Sequence, residues 1–293
     1  MNEYNTTIGV IGLGTMGASM ARNLAKKGFA VRGYSRTASK VEALRADGVT
    51  PASLSDLFSC EKILLSVSDG PAVEHVLFGD TPDCPAGLCS YLARGTLIID
   101  TTTTAPREAI SFFERCRERG IDFVDAPVTG GDIGARNGTL TCMCGGDASA
   151  VERATMVLQC IGSKIVNVGE PGAGQRMKAV NQVAVALGIV AMTEALVFSR
   201  NQGIDAHLAL EILQGGAAGS WALSNYGPRI LREDYAPGFS AAHMLKDLRI
   251  ALSEVQGPLL LQATEAVTQQ FDALVSEHPG VGNHALIKIF GEL

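Results

Sequence analysis

The sequence predicts an α/β protein whose N-terminal half is a doubly wound, mainly parallel sheet and whose C-terminal half is all helical. Short apolar runs rich in β-branched residues alternate with helical runs as far as residue 168. This alternation is typical of a parallel sheet covered by helices. Beyond that point the strand signal stops, and a long helical run over residues 175–201 joins the two halves. We therefore predict two domains, residues 1–173 and residues 174–293.

Each element of the N-terminal half is predicted from its own pattern. Apolar, β-rich runs predict strands at residues 7–11, 30–34, 63–67, 96–99, 123–124, 140–143 and 165–168. Helical spacing predicts helices at residues 16–27, 40–46, 105–119 and 148–160. Residues 80–95 contain Pro82, Pro85 and Gly87, and we predict that they form a loop.

The C-terminal half begins with the long helix. Its apolar residues recur at helical spacing, at Met177, Val180, Ala184, Leu187, Ala191 and Leu196. Gly203 is suited to end this helix, and Asp205 is suited to cap the next one. The remaining pattern predicts helices at residues 206–213, 221–232, 244–255 and 259–278.

The composition argues against several classes of protein. The 293 residues are 46% hydrophobic and 18% charged, which excludes a disordered chain. A net charge of −6 without a basic run argues against nucleic acid or an anionic membrane as a partner. The longest apolar run, residues 183–192, is about half as long as a helix of about 20 residues that spans a bilayer. Because the first residues also lack the basic start of a secretion signal, we expect a cytoplasmic protein.

The number and positions of the cysteines also indicate the cytoplasm. There are seven, an odd number, mostly within apolar segments, and we expect them to be reduced. Cys142 and Cys144 alternate onto one face of a predicted strand, which indicates packing. A zinc site needs about four ligands, and the five histidines are scattered along the chain. We therefore predict no metal site.

A glycine-rich loop follows the first predicted strand and opens the first predicted helix. The loop reads Gly12, Leu13, Gly14, Thr15, Met16 and Gly17. In this context Gly12 permits a tight turn, Gly14 lets the backbone approach a pyrophosphate, and Gly17 lets the helix pack on the strand. The helix N-terminus offers N–H groups and a favourable dipole to the phosphates. The motif therefore predicts a Rossmann-like domain that binds a dinucleotide.

The end of the second predicted strand distinguishes the two nicotinamide cofactors. An acidic residue at this point would bind the ribose 2′-hydroxyl of NAD, but the segment over residues 34–41 contains no acid, and the next one is Glu42. Arg36 can instead cover a 2′-phosphate, and the hydroxyls of Ser35 and Thr37 can donate hydrogen bonds to it. The sequence thus favours NADP as the cofactor and leaves NAD possible; the alternative is that Arg36 is a solvated surface residue.

Three further segments complete a set of four motifs. Residues 125–131 end in Thr129, Gly130 and Gly131; residues 172–182 contain Lys178 and Asn181; and Lys246 begins a Lys-Asp-Leu segment. With the glycine loop, these motifs resemble those of the β-hydroxyacid dehydrogenase family. That family includes 3-hydroxyisobutyrate dehydrogenase, tartronate semialdehyde reductase and the glyoxylate/succinic semialdehyde reductases. The resemblance runs nearly end to end.

The middle two motifs are predicted to bind and convert the substrate. The Thr129 hydroxyl and the backbone N–H groups at Gly130 and Gly131 can form a concavity for a substrate carboxylate; an ordinary turn is the alternative. Lys178 and Asn181 share one helix face. Lys178 lies among Met177, Val180 and Val183, so partial desolvation would lower its pKa toward that of a general acid or base.

Taken alone, a helix lysine is more often a surface residue whose ammonium reaches water. The resemblance implies instead that Lys178 is catalytic. An uncharged Asn181 can hydrogen-bond the substrate oxygen and orient it.

Two more cofactor residues follow from the resemblance. Lys246 matches a second family lysine that reaches the cofactor, with a surface ion pair near Asp247 as the alternative. Thr103 matches a Ser or Thr beside the nicotinamide; alternatively, or in addition, it caps the helix that begins near Pro106. Gln182 stands where some members have a second Asn.

The sequence as a whole predicts an NADP-preferring oxidoreductase that interconverts a small 3-hydroxy acid and its semialdehyde. An imine reductase resembles this architecture but usually lacks a lysine at the position of Lys178. A non-catalytic NADP-binding regulatory protein would be expected to lose Lys178, Asn181 or the Thr129–Gly131 motif, and all are present. We expect a homodimer or homotetramer, because the helical half is short for covering the long helix and because the family forms such oligomers.

Overall fold

The computed structural model describes residues 6–291. The chain divides into two compact units, of which the first ends at Lys178 and the second begins at Ala179. The domain boundary expected from the sequence, between residues 173 and 174, stays a prediction.

One sheet organises the first unit. Among residues 6–291 its strands are β1 Thr7–Ile11, β2 Ala30–Tyr34, β3 Val49–Pro51, β4 Lys62–Leu65, β5 Leu97–Asp100, β6 Asp122–Asp125, β7 Val128–Thr129, β8 Leu140–Gly145 and β9 Gly162–Gly169. Their order is β3-β2-β1-β4-β5-β6-β8-β7, and β9 pairs with β8. The first six strands in this order run parallel, whereas β8 is antiparallel to β6 and β7. The predicted fold class is confirmed.

Side chains of the central strands pack into two separate hydrophobic cores. Leu64 of β4 lies in one core, while its neighbours Ile63 and Leu65 lie in the other. Val124 and Phe123 of β6 are divided in the same way. Because successive side chains of a strand point to opposite faces, this division means that the centre of the sheet is buried on both sides.

Along the sequence, the helices of this unit alternate with its strands. They are α1 Thr15–Lys26, α2 Ala38–Glu42, α3 Gly70–Phe78, α4 Pro106–Glu118, α5 Gly131–Asn137 and α6 Ala148–Leu158. Four elements of this unit, β3, β7, α3 and α5, do not follow from the sequence pattern, because they are short or begin at glycine. Helix α3 is capped by Asp69, whose Oδ1 accepts a hydrogen bond from the Ala72 N–H at 2.9 Å.

The second unit is helical. It contains most of α7 Ala173–Asn201, followed by α8 Ala206–Gly215, α9 Trp221–Asn225, α10 Gly227–Ile230, α11 Ala241–Ser253 and α12 Gln262–Glu277. The helix predicted over residues 221–232 is two short helices, because Pro228 in the first turn of α10 favours a new helix start. Phe271 and Leu248 are fully buried in the core of this unit.

The apolar residues that recur along α7 are not all buried: Leu196 lies in the core of the second unit, but several others are exposed. Val180 is 61% exposed, and Ala184 and Ala191 are also exposed, whereas Ala186 and Ile189 are buried. The helix is apolar on more than one face, so spacing alone did not identify the side that faces the core.

Helix α7 is also longer and more apolar than its uninterrupted apolar run suggested. Within the described residues it is the one helix that is long and apolar enough to cross a membrane, by length and composition alone. A core helix of a soluble protein has the same properties, and Ala186, Ile189, Met192 and Leu196 belong to the core of the second unit.

Candidate active site

The glycine loop has the geometry that its sequence predicts. Gly12 has a φ of +92°, and an added Cβ would lie 2.2 Å from the Ser66 carbonyl oxygen. A Cβ on Gly17 would lie 1.8 Å from the Gly12 carbonyl oxygen, so the helix closes directly onto the turn. Both positions therefore require glycine for steric reasons.

Gly14 requires a different explanation. Its φ of −75° suits any residue, and an added Cβ would meet no atom within 4 Å among the described residues. The space beside Gly14 is thus open, as it must be if a pyrophosphate is to approach the backbone.

Helix α1 starts at this loop with Gly14 as N-cap, and within residues 6–291 no side chain caps it. Its first N–H groups and dipole suit a phosphate. The loop therefore fits a dinucleotide cofactor.

The residues predicted to select the cofactor follow β2. Arg36 and Thr37 are exposed, Ser35 is half-buried, and the Ser35 Oγ accepts from the Thr37 N–H at 3.4 Å. Burial raises the pKa of Tyr34, and the charge of Arg36 opposes that rise. Contact of these residues with the cofactor remains a prediction.

The predicted substrate loop is more structured than a turn. Thr129 ends strand β7, and Gly131 begins α5. Gly130 and Gly131 have φ values of +126° and +64°, conformations that favour glycine. All three residues of the loop are half-buried.

Lys178 lies against the strand that leads into this loop. Its Nζ donates a hydrogen bond to the Val128 carbonyl oxygen at 2.9 Å, and the residue is 5% exposed. The ammonium is therefore directed to the residue before Thr129. The expected desolvation of Lys178 is confirmed, although Met177 and Val180, two of the apolar residues named beside it, are 39% and 61% exposed.

Asp125 anchors the helix that carries Lys178. Its Oδ1 accepts from the Gly172 N–H at 2.8 Å and its Oδ2 from the Gln175 N–H at 3.0 Å. Burial raises the pKa of Asp125 to about 7, opposed by these two hydrogen bonds and assisted by the charge of Asp100 on the adjacent strand. The carboxylate thus holds the first turn of α7 at the end of β6.

Gln175 ties the same turn to the loop after β5. Its Nε2 donates to the Thr102 carbonyl oxygen at 2.8 Å, and its Oε1 accepts from the Thr104 N–H at 3.1 Å. These two bonds hold the backbone on both sides of Thr103. No role for Asp125 or Gln175 was predicted from the sequence. Their position as polar residues within motifs of mostly apolar and glycine residues was the available signal.

Thr103 is half-buried in this loop. It does not cap α4: the N-cap position is Ala105, whose N–H donates to the Glu108 Oε2 at 2.8 Å. The capping alternative was wrong: as an N-cap, Thr103 would precede a helix that begins at residue 104, but α4 begins two residues later, at Pro106, which favours the first helical position. A role beside the nicotinamide remains a prediction for Thr103.

The second unit holds the other predicted polar residues in one network. The Asn181 Nδ2 donates to the Gln182 Oε1 at 2.9 Å, and the Gln182 Nε2 donates to the Asp247 Oδ2 at 2.7 Å. The Lys246 Nζ lies 3.1 Å from the Asp247 Oδ1. The ion pair named as an alternative for Lys246 therefore exists, and cofactor contact by Lys246 stays a prediction.

Comparison with known proteins identifies the family. A protein-family model described as the NAD binding domain of 6-phosphogluconate dehydrogenase matches residues 7–169. A second, described as NAD-binding of NADP-dependent 3-hydroxyisobutyrate dehydrogenase, matches residues 172–290. The chain belongs to the β-hydroxyacid dehydrogenase family. The resemblance drawn from the four motifs is confirmed.

Individual relatives cover nearly the whole chain. An uncharacterized oxidoreductase of Synechocystis sp. is 38% identical over 97% of this chain and 98% of its own length. The 2-hydroxy-3-oxopropionate reductase of Escherichia coli is 37% identical over 90% and 89%. The structure of Mycobacterium tuberculosis 3-hydroxyisobutyrate dehydrogenase with L-serine has a TM-score of 0.83 at 28% identity, covering 98% of this chain and 99% of that one.

These findings establish the enzyme class. The chain is an NAD(P)-dependent hydroxyacid dehydrogenase that acts on small molecules. The nicotinamide cofactor predicted from the glycine loop is confirmed at the level of NAD(P).

Proposed function

We propose that this family member is an NADP-preferring enzyme that interconverts a small 3-hydroxy acid and its semialdehyde, of the 3-hydroxyisobutyrate or glycerate/tartronate semialdehyde type. The observation that carries the proposal is the position of Lys178. A buried ammonium lies 2.9 Å from the carbonyl oxygen of the residue before Thr129, Gly130 and Gly131. A proton donor and a loop suited to a carboxylate therefore lie side by side, as a semialdehyde acid requires.

The residues divide the chemistry between them. When bound, the reduced cofactor supplies the hydride that the aldehyde carbon accepts. Lys178 gives its proton to the aldehyde oxygen, which becomes the hydroxyl, and takes a proton back from that hydroxyl in the reverse direction. Thr129, Gly130 and Gly131 bind the carboxylate, while Asn181 hydrogen-bonds the reacting oxygen. Thr103 and Lys246 are proposed to contact the cofactor.

The substrate class is supported by relatives as well as by the site. The Escherichia coli relative is named a 2-hydroxy-3-oxopropionate reductase, and one family description names 3-hydroxyisobutyrate. The test is a screen of purified protein for NADPH oxidation with tartronate semialdehyde, methylmalonate semialdehyde, succinic semialdehyde and glyoxylate. We expect turnover with at least one of them. Turnover with a cyclic imine and with none of the aldehydes would overturn the proposal.

The cofactor preference is predicted to depend on Arg36. Replacing Arg36 with Leu should lower the ratio of kcat/KM for NADPH to that for NADH about tenfold or more, because a charge-assisted contact to the 2′-phosphate is lost. The measurement is the kcat/KM of both cofactors at a fixed aldehyde concentration.

The matched control for this variant is Lys27→Leu, which removes an exposed cation at the opposite end of α1 from the glycine loop. It should leave the ratio unchanged. A wild-type enzyme that prefers NADH would contradict the assignment of Arg36.

A homo-oligomer is the proposed assembly. Val180, Ala184, Ala191 and Phe198 are exposed, with Val180 at 61% and Phe198 at 63%. Their spacing of four, seven and seven residues places them on one face of α7, the pattern of a helix that packs against another helix. An apolar face of this kind favours burial against a second copy of the chain.

We predict that light scattering gives two or four times the chain mass of 30.7 kDa. Replacing Phe198 with Glu should shift the protein toward the monomer mass, because a carboxylate would be buried at the contact. Ser224→Glu, an exposed position on α9, is the control. A wild-type protein that is monomeric at micromolar concentration would refute the assembly.

The proposed compartment is the cytoplasm. All seven cysteines lie within residues 6–291, are buried and form no disulfide there. Reduced thiols are the usual state in that compartment.

A further inference from the structure

A directional chain of hydrogen bonds leads from Asp247 to Asn181. Asp247 on α11 accepts from the Gln182 Nε2 at 2.7 Å, and the Gln182 Oε1 accepts from the Asn181 Nδ2 at 2.9 Å. Gln182 and Asp247 are each 2% exposed, so water does not compete for these groups. The Met244 sulfur, 3.9 Å from the Gln182 Nε2, packs beside the same amide.

The direction of this chain follows from the chemistry of its first member. An ionised carboxylate only accepts hydrogen bonds, so the amide of Gln182 must turn its NH₂ toward Asp247. Its carbonyl oxygen then faces Asn181 and can only accept, so Asn181 must turn its own NH₂ toward Gln182. This bond uses one of the two Nδ2 hydrogens of Asn181, and the amide has its second hydrogen and its Oδ1 as further hydrogen-bonding groups.

We propose that Gln182 and Asp247 are positioning residues that fix the amide orientation of Asn181 for its hydrogen bond to the reacting substrate oxygen. This inference rests on the proposed function, in which Asn181 binds that oxygen. An asparagine amide that is free to flip by 180° exchanges its donor and its acceptor. In half of its orientations its Oδ1 would face the carbonyl oxygen of the substrate, and two acceptors form no hydrogen bond. Fixing the amide in one orientation keeps the Nδ2 donor on the substrate oxygen during the reaction.

The inference explains why a glutamine suits position 182. A residue there must donate at one end to a carboxylate and accept at the other from an amide. A residue with a single polar function does not do both, and an apolar residue would leave the Asp247 Oδ2 without this donor.

The decisive variant is Gln182→Glu. A protonated glutamic acid donates to Asp247 and accepts from Asn181, as glutamine does, whereas the ionised form cannot donate and is repelled by the neighbouring carboxylate. We expect kcat close to that of the wild type at low pH. The ratio of variant to wild-type kcat should then fall about tenfold or more as the pH rises through the pKa of the new carboxyl group.

A second variant covers the case in which the first does not fold. Gln182→Met keeps the length of the side chain and removes both polar ends, so kcat should fall about tenfold at every pH while the unfolding temperature is recorded as a control. A folded Gln182→Met enzyme with wild-type kcat would overturn the inference. So would a Gln182→Glu enzyme whose kcat follows the wild-type pH profile.

Asn181→Ala separates failure of this inference from failure of the proposed function. If Asn181→Ala retains the wild-type kcat/KM, the proposed role of Asn181 at the substrate is wrong. If Asn181→Ala is impaired and both Gln182 variants behave as the wild type, the role of Asn181 stands and the positioning by Gln182 and Asp247 is wrong.

Discussion

Replacing Lys178 with Ala is expected to lower kcat for aldehyde reduction by about 100- to 10,000-fold, the usual contribution of a general acid. The Kd for NADPH should change little, because the glycine loop and the residues after β2 do not depend on this ammonium. Single-turnover oxidation of NADPH and quenching of its fluorescence measure the two quantities separately.

Lys178→Arg is the matched control for charge. Arginine keeps the positive charge and hydrogen-bond donors but does not release a proton near neutral pH. It should therefore remain close to Lys178→Ala in kcat. Recovery of wild-type kcat in Lys178→Arg would mean that the charge alone matters and that no proton is transferred from this residue.

The second large effect is expected at Gly14. A valine there meets no atom of the described residues within 4 Å of its Cβ and keeps an ordinary φ, so the apoprotein should unfold at nearly the wild-type temperature. The added side chain instead occupies the space through which the pyrophosphate reaches the backbone. We expect the Kd for NADPH to rise at least about tenfold, equivalent to one lost charge-assisted contact.

Two control variants, at Gly17 and Gly188, separate an effect on cofactor binding from an effect on folding. Gly17→Val should destabilise the protein itself, because its Cβ would lie 1.8 Å from the Gly12 carbonyl oxygen. Gly188→Val, at another glycine with open space around its Cβ, should leave the Kd for NADPH unchanged. Normal NADPH affinity in Gly14→Val would refute the assigned path of the cofactor.

The features that the sequence predicts well are those decided by local pattern. Strands β1 and β2 have the predicted bounds. In β1 the residues from Ile8 to Ile11 are all buried, and in β2 buried residues alternate with more exposed ones, and both patterns are typical of strands. The glycine loop was equally predictable from its spacing after a strand and before a helix. The need for glycine at position 17 arises within this unit, from the Gly12 carbonyl oxygen, whereas Gly12 is also constrained by Ser66 after β4.

Features that depend on distant partners were not predictable in this way. The apolar spacing of α7 did not identify its buried face, because apolar residues occur on more than one side of the helix, and packing selects Ala186 and Ile189 over Val180. The roles of Asp125 and Gln175 arise from contacts 47 to 73 residues apart along the chain. Spacing in one sequence carries no record of such pairs.

The candidate site shows the same division. The residue types and positions of Lys178 and the Thr129–Gly131 motif were evident from the sequence, but their proximity depends on the pairing of β7 with β8 and on the anchoring of α7 by Asp125. The network of Asn181, Gln182 and Asp247 likewise joins residues 65 positions apart.

The most direct test of the account is restoration of proton transfer to the Lys178→Ala enzyme by an added acid. Single-turnover reduction of the accepted semialdehyde would be followed with increasing trimethylammonium, which donates a proton but cannot form an imine with the aldehyde. The account predicts a slow reaction without the amine and a rate that rises with its concentration. Reduction at the wild-type rate by Lys178→Ala without any amine would contradict it.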